Sequence, residues 1–529
     1  MNRDPIKKTP KRRFFARYNG DEGRRLVQEL CGSQSIVEDL DNTDYTLLQD
    51  EDTVDSSCWR QLQENSAIAW VEEDYPVKAF SIQETDLPQV KNAGVEDTKE
   101  SWGIASIQAD KLEMGQHDVT VCVIDTGIAA QHPDFDHSRI SGVDRMDRRN
   151  PWYWAQDRVG HGTHVGGIIA ASSNNGYGVK GVGDFSLLIV RGLGDDGSGF
   201  ESDIWKAVDV CIDHGADVIN MSLGNIRMSE AANELYTKAV EELGIVLVAA
   251  AGNDNDETKY FPASHPSVIS VGAMGSNGDR YFSSNFNDQV EFVAPGQDIY
   301  STTVSTNAVR TSTFSYPANT VLGAHSSSAT GNLAICDMKN VLKDEKCEEA
   351  ELLQDSICLF AMDSNDSDDL PVQDLIEVCF SSGGIGAVVY DQSRAGRSIP
   401  NLYAEGAAAD SPIPAIAISK FTASQIMESA EMESDGGDYV VSIGDTNNDH
   451  MEYTFAMLSG TSMAAPYVTA AFGLIKSHFP ECSQWQIRKA FQETAINPNG
   501  GCNQEIGYGL IQVKDAYDWL IAILGIQKM

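Results

Sequence analysis

The chain has few basic residues and no long apolar stretch. It carries 38 Lys and Arg residues against 78 Asp and Glu, a formal net charge of −40 over 529 residues. Binding to phosphates needs a basic surface, so this balance argues against a nucleic-acid partner. No apolar run reaches the roughly 18 residues that a membrane-spanning helix needs, and the apolar stretch 519–525 is predicted to be part of a packed helix. The sequence therefore predicts neither nucleic-acid binding nor a membrane span.

The ten cysteines include no Cys-x-x-Cys pair, which disfavours zinc-ribbon and thioredoxin-like proteins. Grouped cysteines in even number indicate disulfides and an oxidising compartment. Cys122 and Cys211 lie in apolar runs and are predicted to be buried thiols. No secretory signal follows the basic N-terminus. We therefore expect either that the chain stays inside the cell or that its leader is missing from this sequence, and the cysteines favour the secreted alternative.

The charge is distributed unevenly along the chain. Residues 1–25 hold nine Lys or Arg and three acidic residues, a net charge of +6, which leaves −46 for the remainder. A small α+β unit is predicted over residues 11–80, and the polar stretch 81–100 is predicted to be a linker because it lacks periodicity. The N-terminal part is thus expected to be a separable segment.

From Trp102 onward, near-continuous apolar runs alternate with helical segments, which is typical of a parallel sheet covered by helices on both faces. The predicted strands are 119–124, 187–190, 217–221, 245–250 and 268–271, and the predicted helices are 161–171, 202–215 (with Ser202 as N-cap) and 229–244. The β-rich stretch 316–447 holds four cysteines and interrupts this pattern. We interpret it as an insertion into one α/β domain made of residues 101–315 and 448–529.

Three segments of the α/β domain carry candidate catalytic residues. An apolar strand ends at Asp125, the run 160–164 (Gly-His-Gly-Thr-His) opens a helix with His161, and the small-residue turn 458–466 carries Ser462 ahead of a helix predicted over 467–478. Taken singly, the aspartate could be a turn residue, the two histidines a metal site, and the serine an N-cap. Together they suit nucleophilic catalysis, because serine needs a base to remove its proton and the base needs an acid to orient it.

These motifs, in this order, resemble the subtilisin family. The resemblance implies a three-layer α/β/α fold, with Asp125, His161 rather than His164, and Ser462 as the catalytic triad. It further implies that Asn253, in an Ala-Ala-Ala-Gly-Asn segment after an apolar strand, donates to the oxyanion together with the backbone N–H of Ser462. The expected activity is serine-type endopeptidase action on extended or unfolded polypeptides.

The resemblance also extends to the substrate and metal sites. Two extended segments are expected to bind the substrate backbone: Gly197, Ser198 and Gly199, and Ser222, Leu223 and Gly224. Tyr260 is placed at the base of the main specificity pocket. A structural calcium ion is the implied cofactor, and its expected ligands are oxygens of Asp134, Ser173, Asn175, Tyr177 and Val179, since calcium prefers oxygen cages.

The flanking units follow the same resemblance. Residues 11–80 are similar to an inhibitory propeptide, residues 316–447 to a protease-associated domain, and Ser101 begins a stretch similar to a mature N-terminus, so maturation is expected within 77–101. The expected disulfides are Cys336–Cys347, Cys358–Cys379 and Cys482–Cys502. The expected partners are protein substrates and the chain's own propeptide, and the mature form is expected to be a monomer.

Three alternatives stay open at this point. A catalytically dead relative could serve as a binding module, although all four key residues are present. A serine-carboxyl peptidase shares the Gly-Thr-Ser motif but uses a glutamate in place of the histidine, so it predicts an acidic pH optimum. A metal hydrolase could be built on His161 and His164, and its activity would resist a serine-directed probe.

Overall fold

The structure is a computed structural model. It describes residues 12–32, 36–40, 45–50, 57–80, 83–85, 99–146, 153–173, 175–176, 178–305, 308–311, 315–317, 319–321, 329–336, 355–362, 372–392, 413–418, 420, 423–424, 426–427, 440–444, 452–498 and 500–525. Within these ranges, no helix is both long enough and apolar enough to cross a membrane.

The N-terminal unit is an antiparallel sheet packed against two helices. Its elements are β1 (Arg12–Tyr18), α1 (Gly20–Cys31), β2 (Ile36–Leu40), β3 (Tyr45–Asp50), α2 (Ser57–Gln63) and β4 (Ile68–Glu73), with the strand order β2-β3-β1-β4. Alternate residues of β1 face opposite sides, so Phe14 packs in the unit's own core while Phe15 packs outward. A disulfide that the sequence analysis did not anticipate, Cys31–Cys58, joins α1 to α2.

Three short strands follow the N-terminal unit. They are β5 (Pro76–Ala79), β6 (Gln83–Thr85) and β7 (Lys99–Glu100). Each pairs with a strand of the main domain rather than with the N-terminal unit. β5 lies at the end of the predicted unit 11–80, while β6 and β7 attach the predicted linker 81–100 to the main domain at two places.

The main domain begins with α3 (Trp102–Ser106) and alternates strands with helices. The elements that follow are β8 (Thr120–Asp125), β9 (Ile140–Asp144), α4 (His161–Ala170), β10 (Val179–Lys180), β11 (Ser186–Arg191), β12 (Ser198–Phe200), α5 (Glu201–Asp213), β13 (Val218–Met221), β14 (Leu223–Gly224), α6 (Glu230–Glu241), β15 (Val246–Ala250), β16 (Ile269–Met274), β17 (Val290–Pro295) and β18 (Ile299–Ser305). Short 3-10 turns lie at Ala109–Lys111, His137–Arg139 and Tyr153–Ala155.

The central sheet is parallel and is covered on both faces. Seven described strands pair in the order β17-β16-β15-β13-β8-β11-β9. Side chains alternate along β8: Val121 and Val123 join one buried cluster, while Cys122 and Ile124 join the other, which includes residues of α5 and α6. The predicted three-layer α/β/α architecture is confirmed. The sequence analysis missed β9 and β17, which are the two edge strands.

The inserted unit holds a separate eight-stranded sheet in the described part of the chain. Its elements are β19 (Ala308–Thr311), β20 (Ser315–Pro317), β21 (Asn319–Val321), β22 (Ala329–Cys336), β23 (Ser356–Met362), α7 (Val372–Ser381), β24 (Gly386–Asp391), β25 (Ala415–Ala417) and β26 (Val440–Gly444). β19 pairs with β26, so this sheet starts ahead of the predicted boundary at 316.

The main domain resumes with β27 (Glu452–Ser459), α8 (Thr461–His478), α9 (Gln484–Thr494) and α10 (Val513–Leu524). β27 pairs antiparallel with β18, from Ser305 opposite Glu452 to Ile299 opposite Leu458. The chain thus leaves the domain and returns to it at one point, which explains how an insertion is accommodated without disrupting the sheet. The predicted packed helix at the C-terminus is confirmed as part of α10.

The cysteines correct several expectations. Cys122 and Cys211 are not thiols but form a disulfide, because the β8 face that carries Cys122 packs on α5 with the two Cα atoms 5.9 Å apart. Cys358–Cys379 is confirmed. The expected Cys482–Cys502 bond is wrong, since Cys482 is buried beside the main core, Cys502 is exposed, and both are free thiols. Cys347 of the remaining pair lies outside the described residues.

Candidate active site

The Asp125 and His161 side chains meet at the edge of the central sheet. Asp125 is the last residue of β8 and His161 the first of α4, and both are buried. His161 Nδ1 lies 2.7 Å from Asp125 Oδ1. The same Oδ1 accepts a hydrogen bond from the backbone N–H of Thr126 at 2.8 Å. A carboxylate held in this way fixes the orientation and the tautomer of the imidazole ring.

The other ring nitrogen of His161 is available for chemistry. His161 Nε2 is buried and has no hydrogen-bond partner among the described residues. Burial by itself lowers the pKa of His161, but the charges of Asp125 and Asp157 and the hydrogen bond to Asp125 raise it above its ordinary value of 6.5. A neutral ring with a free Nε2 can accept a proton, and the nearby carboxylates stabilise the cation that results.

Asp157 is a residue of this site that the sequence analysis missed. It is fully buried and its two oxygens accept hydrogen bonds from the side chains of Thr126 and Thr163 and from the backbone N–H groups of Val159, Gly160 and Thr163. A carboxylate also interacts favourably with the N-terminus of a helix. Asp157 therefore fixes the first turn of α4. Its position four residues before His161, just ahead of a predicted helix, could have identified it in the sequence.

Ser462 lies in the first turn of α8, which begins at Thr461 rather than at the predicted residue 467. Its Oγ donates to the backbone oxygen of Ser222 at 3.2 Å, and Ser222 Oγ donates to the backbone oxygen of Ser462 at 3.0 Å. Ser222 directly follows β13, which neighbours β8, and Met221 pairs with Ile124. The carboxyl ends of two adjacent strands thus bring Ser462 to the edge where Asp125 and His161 meet.

Asn253 lies against the residues that precede Ser462. Its Oδ1 accepts hydrogen bonds from the backbone N–H and the hydroxyl of Thr461, both at 2.9 Å. A Cβ placed on Gly460 would lie 2.8 Å from Asn253 Nδ2, so only glycine leaves space for the amide. The amide nitrogen therefore sits beside the turn that carries Ser462.

His164 has a different environment from His161. Its Nε2 lies 3.1 Å from the backbone oxygens of both Ile299 and Ala456, so this nitrogen carries the proton and donates to them. Burial lowers the pKa of His164 to about 3. The ring is a neutral structural element that links α4 to β18 and β27.

The two predicted substrate segments contain the strands β12 and β14, and β5 lies between them. Gly199 pairs with Val77 and Gly224 with Lys78, both antiparallel, and the N–H of Ala79 donates to the oxygen of Gly197 at 2.9 Å. The middle members of the two segments also pair with β5, Ser198 with Lys78 and Leu223 with Ala79. Residues 76–80, called the tail below, thus occupy the groove between the two segments.

The tail ends in a pocket. Phe80 is 9% exposed and its ring meets that of Tyr260 edge to face, with centroids 4.9 Å apart. A Cβ on Gly224 would lie 2.7 Å from Phe80 Cζ, so glycine makes room for the ring. Tyr260 lies beside both Gly252 and Gly224, since a Cβ on these glycines would be 2.6 Å from Tyr260 Cδ2 and 3.4 Å from Tyr260 Cδ1. The residue placed at the base of the pocket is in contact with a bound aromatic side chain.

Comparison with known proteins agrees with this geometry. Residues 116–336 and 380–509 match the Subtilase family. The chain belongs to the subtilase family.

Curated relatives of this subtilase include the thermophilic serine proteinase of Bacillus sp. (strain AK1), 32% identical over 294 residues, which are 55% of this chain and 69% of that protein. Subtilisin E of Bacillus subtilis (strain 168) is 36% identical over 258 residues, which are 47% of this chain and 62% of that protein. Fervidolysin from Fervidobacterium pennivorans shares the fold: the similarity has a TM-score of 0.59, 20% identity, and covers 98% of this chain and 62% of that one. The subtilase is accordingly a serine endopeptidase that hydrolyses peptide bonds.

The body of the N-terminal unit meets the subtilase domain through charged groups. Asp74 is 3% exposed, lies 3.0 Å from Arg13 Nε, and accepts hydrogen bonds from the N–H and the hydroxyl of Ser202 at 3.0 and 2.8 Å. The prediction that Ser202 caps α5 is wrong: the helix begins at Glu201 with Phe200 as its N-cap, and the Ser202 hydroxyl is turned to Asp74 instead. Phe15 adds an apolar contact by stacking on Trp205, with ring centroids 4.1 Å apart.

Two more carboxylates crowd this contact. Glu72 accepts a hydrogen bond from the N–H of Glu230 at 3.1 Å, at the start of α6, and Glu201 is buried at the start of α5. Burial raises the pKa of Glu72 to about 7 and that of Asp74 to about 6. Burial first, and then the charges of Glu72 and Asp74, raise the pKa of Glu201 well above its ordinary value. The three acids therefore favour protonation in this arrangement.

The expected calcium ligands are brought together in part. Asp134 is fully buried, and its oxygens accept hydrogen bonds from Asn175 Nδ2 and from the N–H of Val179, both at 2.7 Å. Burial raises the pKa of Asp134 to about 6. Ser173 lies in the same loop, and Tyr177 is outside the described residues. Among the described residues, no three His, Cys, Asp or Glu side chains form a metal-binding group.

Proposed function

We propose that Asp125, His161 and Ser462 are the catalytic triad of this subtilase. The observation that carries the proposal is the buried Asp125–His161 pair at 2.7 Å, with His161 Nε2 unpartnered at the sheet edge that also holds Ser462. His161 takes the proton of the Ser462 hydroxyl as Oγ attacks a peptide carbonyl, and Asp125 stabilises the resulting imidazolium. The serine hydroxyl must turn from Ser222 toward Nε2 for this step.

The oxyanion is stabilised from the start of α8. The backbone N–H of Ser462 and the Asn253 amide nitrogen donate to the negative oxygen of the tetrahedral intermediate. Both groups are held in place before reaction, Asn253 by its bonds to Thr461 and Ser462 by the helix. Donors that are already oriented need no reorganisation when charge develops, which is why such sites lower the barrier strongly.

Substrates bind as an extended strand in the groove that contains Gly197, Ser198 and Gly199 on one side and Ser222, Leu223 and Gly224 on the other. Backbone pairing of this kind recognises any extended or locally unfolded polypeptide, and side-chain pockets add selectivity. The tail already occupies the groove in this way. The chain is therefore a zymogen in which the N-terminal unit acts as an intramolecular inhibitor.

Asp134 and the loop that contains Asn175 bind a calcium ion. A buried carboxylate next to an amide side chain supplies the hard oxygen ligands that calcium prefers. Asp134 and Asn175, with backbone oxygens of Ser173, Tyr177 and Val179, would hold the ion, which would stabilise the fold. Calorimetry with and without chelator tests this: an unchanged melting temperature would exclude the ion.

The protein is secreted into an oxidising compartment and acts as a monomer. Residues 316–447 form a protease-associated domain. Three disulfides in the described part of the chain support the compartment. Detection of the mature protein in the culture medium tests secretion, and sedimentation of that material tests the monomer. Binding of unfolded protein that persists after deletion of residues 316–447 would argue against a role of the inserted unit in substrate capture.

The catalytic proposal is tested by replacing the nucleophile. The Ser462→Ala variant is expected to lose hydrolysis of a denatured protein substrate, by about 10⁶-fold if it follows the losses measured on subtilisin itself. A Cys482→Ala variant is the matched control because Cys482 is a free thiol away from the site. Hydrolysis that survives Ser462→Ala but stops with chelator would favour the metal-hydrolase alternative.

A further inference from the structure

The helix that carries Ser462 cannot form one of its own backbone hydrogen bonds. In α8, the oxygen of Ser462 would normally accept from the N–H four residues later, and that residue is Pro466. Proline has no N–H, and its ring crowds the carbonyl four residues before it. Ser462 is fully buried, where an oxygen left without a donor costs free energy. The Ser462 carbonyl therefore needs a donor from outside the helix.

Ser222 supplies this donor. Its hydroxyl donates to the Ser462 oxygen at 3.0 Å, while its own backbone oxygen accepts from Ser462 Oγ at 3.2 Å. One residue thus holds Ser462 by its carbonyl and by its hydroxyl. The bond to the Ser462 hydroxyl must open when the serine reacts, whereas the bond to the carbonyl can persist throughout the reaction.

A chain of hydrogen bonds continues behind Ser222. Asn220 Nδ2 donates to Ser222 Oγ at 3.0 Å, and Thr469 Oγ1 donates to Asn220 Oδ1 at 2.9 Å. A carbonyl oxygen can only accept, so the Ser222 proton points to Ser462 and Ser222 Oγ accepts from the Asn220 amide nitrogen. The Asn220 oxygen is then left to face Thr469. Asn220, Ser222 and Thr469, called the relay below, are all fully buried.

The fold places the relay between the central sheet and α8. Asn220 lies in β13, the middle strand of the sheet. Side chains alternate along this strand, and Val218 packs in the cluster that includes α8 while Ile219 packs on the other face. Thr469 follows Ser462 by seven residues, about two helical turns, so the two residues share one face of α8. If packing alone determined the position of Asn220, an apolar side chain would be expected there, because a buried amide costs free energy unless it is hydrogen-bonded.

We propose that Asn220 and Thr469 are positioning residues for the nucleophile, which act through Ser222 in place of the helical bond that Pro466 removes. This inference rests on the proposed role of Ser462. The relay fixes the first turn of α8, and with it the directions of the Ser462 hydroxyl and of the Ser462 N–H that donates to the oxyanion. Small errors in these directions slow the reaction, because both groups must be aligned before charge develops.

The relay is tested with Thr469→Val, which keeps the shape of the side chain without its hydroxyl. Active sites of the matured enzyme are counted by burst titration, so that kcat refers to folded molecules only. We expect kcat on a peptide substrate to fall about tenfold, because the buried Asn220 oxygen loses its donor and the bonds behind Ser462 loosen. KM should change less than kcat. An unchanged kcat overturns the inference.

Two control variants accompany this measurement. Thr469→Ser keeps the hydroxyl and should retain most of the wild-type kcat. Thr494→Val removes a hydroxyl that donates to the oxygen of Ala490 within α9, so it should leave kcat unchanged. A loss of kcat in Thr494→Val as large as that in Thr469→Val would show that the effect is not specific to the relay, and would overturn the inference.

A second substitution separates positioning from packing. Pro466→Ala returns the N–H that the Ser462 oxygen lacks, so adding it to Thr469→Val should raise kcat per active site by about threefold or more. A merely structural role of Thr469 predicts a lower melting temperature and no such recovery of kcat, and that result overturns the inference. If Thr469→Val does not mature, recovery of titratable enzyme in the double variant supports the inference, and no recovery overturns it.

The outcomes separate this inference from the proposed function. If Ser462→Ala still hydrolyses peptides, the catalytic assignment fails, and the relay fails with it. If Ser462→Ala is inactive while Thr469→Val keeps the wild-type kcat, only the relay fails.

Discussion

Two sets of buried carboxylates in this molecule are built differently. In the catalytic core, Asp157 accepts five hydrogen bonds and Asp125 binds His161, so these acids meet donors. At the contact with the N-terminal unit, Glu201 lies near Glu72 and Asp74, which are also acidic. In the described part of the chain, one oxygen each of Glu72, Glu201 and Asp125 is buried without a hydrogen-bond partner. The two sets therefore differ in their neighbours, which are donors and a histidine in the core and other acids at the contact.

The two sets of carboxylates therefore have different roles: those of the core keep one arrangement, whereas those at the contact with the N-terminal unit respond to pH. A carboxylate surrounded by donors keeps a fixed geometry around the histidine that it orients. Glu72 and Glu201, each with one unpartnered oxygen and near another acid, are more stable together when they are protonated. The core is therefore built to hold a fixed geometry, whereas the strength of the contact that blocks the groove depends on pH.

The largest expected effect is in the core. Asp125→Asn is expected to lower kcat by about 10⁴-fold, the size measured when the triad aspartate of subtilisin itself is removed, because the imidazole loses its orientation and its counter-charge. Asp213→Asn, on the exposed end of α5, is the matched control and should leave kcat unchanged. Steady-state kinetics on a peptide substrate check both variants. A loss of less than tenfold for Asp125→Asn would contradict the assignment.

At the contact, the strongest single element is the Arg13–Asp74 pair with its bonds to Ser202. Asp74→Ala removes the nearer carboxylate from a mostly buried arginine and leaves it only Asp203 at 3.8 Å, which costs about 3 kcal/mol. The inhibition constant of the released N-terminal unit against the mature enzyme should rise about a hundredfold. Asp74→Asn keeps the size of the side chain and part of its hydrogen bonding, so its inhibition constant should lie between those of the wild type and Asp74→Ala. Equal inhibition by the wild type, Asp74→Ala and Asp74→Asn would show that this ion pair does not contribute to inhibition.

A smaller effect is expected from pH. The pKa values of Glu72, Asp74 and Glu201 are raised in the assembled form, to about 7 and about 6 for the first two. The assembled form therefore binds protons more tightly, so its stability is complete in acid and falls as pH rises through about 6 to 7. Inhibition by the N-terminal unit should weaken about tenfold between pH 5 and 8. In the Glu201→Gln variant the inhibition should depend less on pH. An equally steep pH dependence in this variant would show that Glu72, Asp74 and Glu201 do not cause it.

Local patterns explain what could be predicted from the sequence. The strand ending at Asp125, the helix opening at His161 and the turn before Ser462 each lie within a few residues, and the structure places all three at one edge of the sheet. The alternation of apolar runs and helices likewise identified the central layers, because strands buried on both faces are apolar throughout.

Contacts between distant segments explain what was missed. Cys122 and Cys211 look like two unrelated buried residues until β8 packs on α5. Ser202 looks like a helix cap, yet its hydroxyl donates to a carboxylate 128 residues earlier in the chain. The side-chain pattern of residues 76–79 did not indicate a strand, because β5 pairs through backbone atoms and needs no particular side-chain pattern.

The central claim is that a competent Ser462 lies in a groove that the chain itself blocks. The most direct measurement is labelling with a fluorophosphonate probe, followed by mass mapping of the modified residue at successive stages of maturation. We expect an adduct on Ser462 of the matured enzyme and little or none on the uncut precursor when both are labelled at the same pH, where His161 is neutral. An adduct on another residue, or equal labelling of the precursor and the matured enzyme, would contradict it.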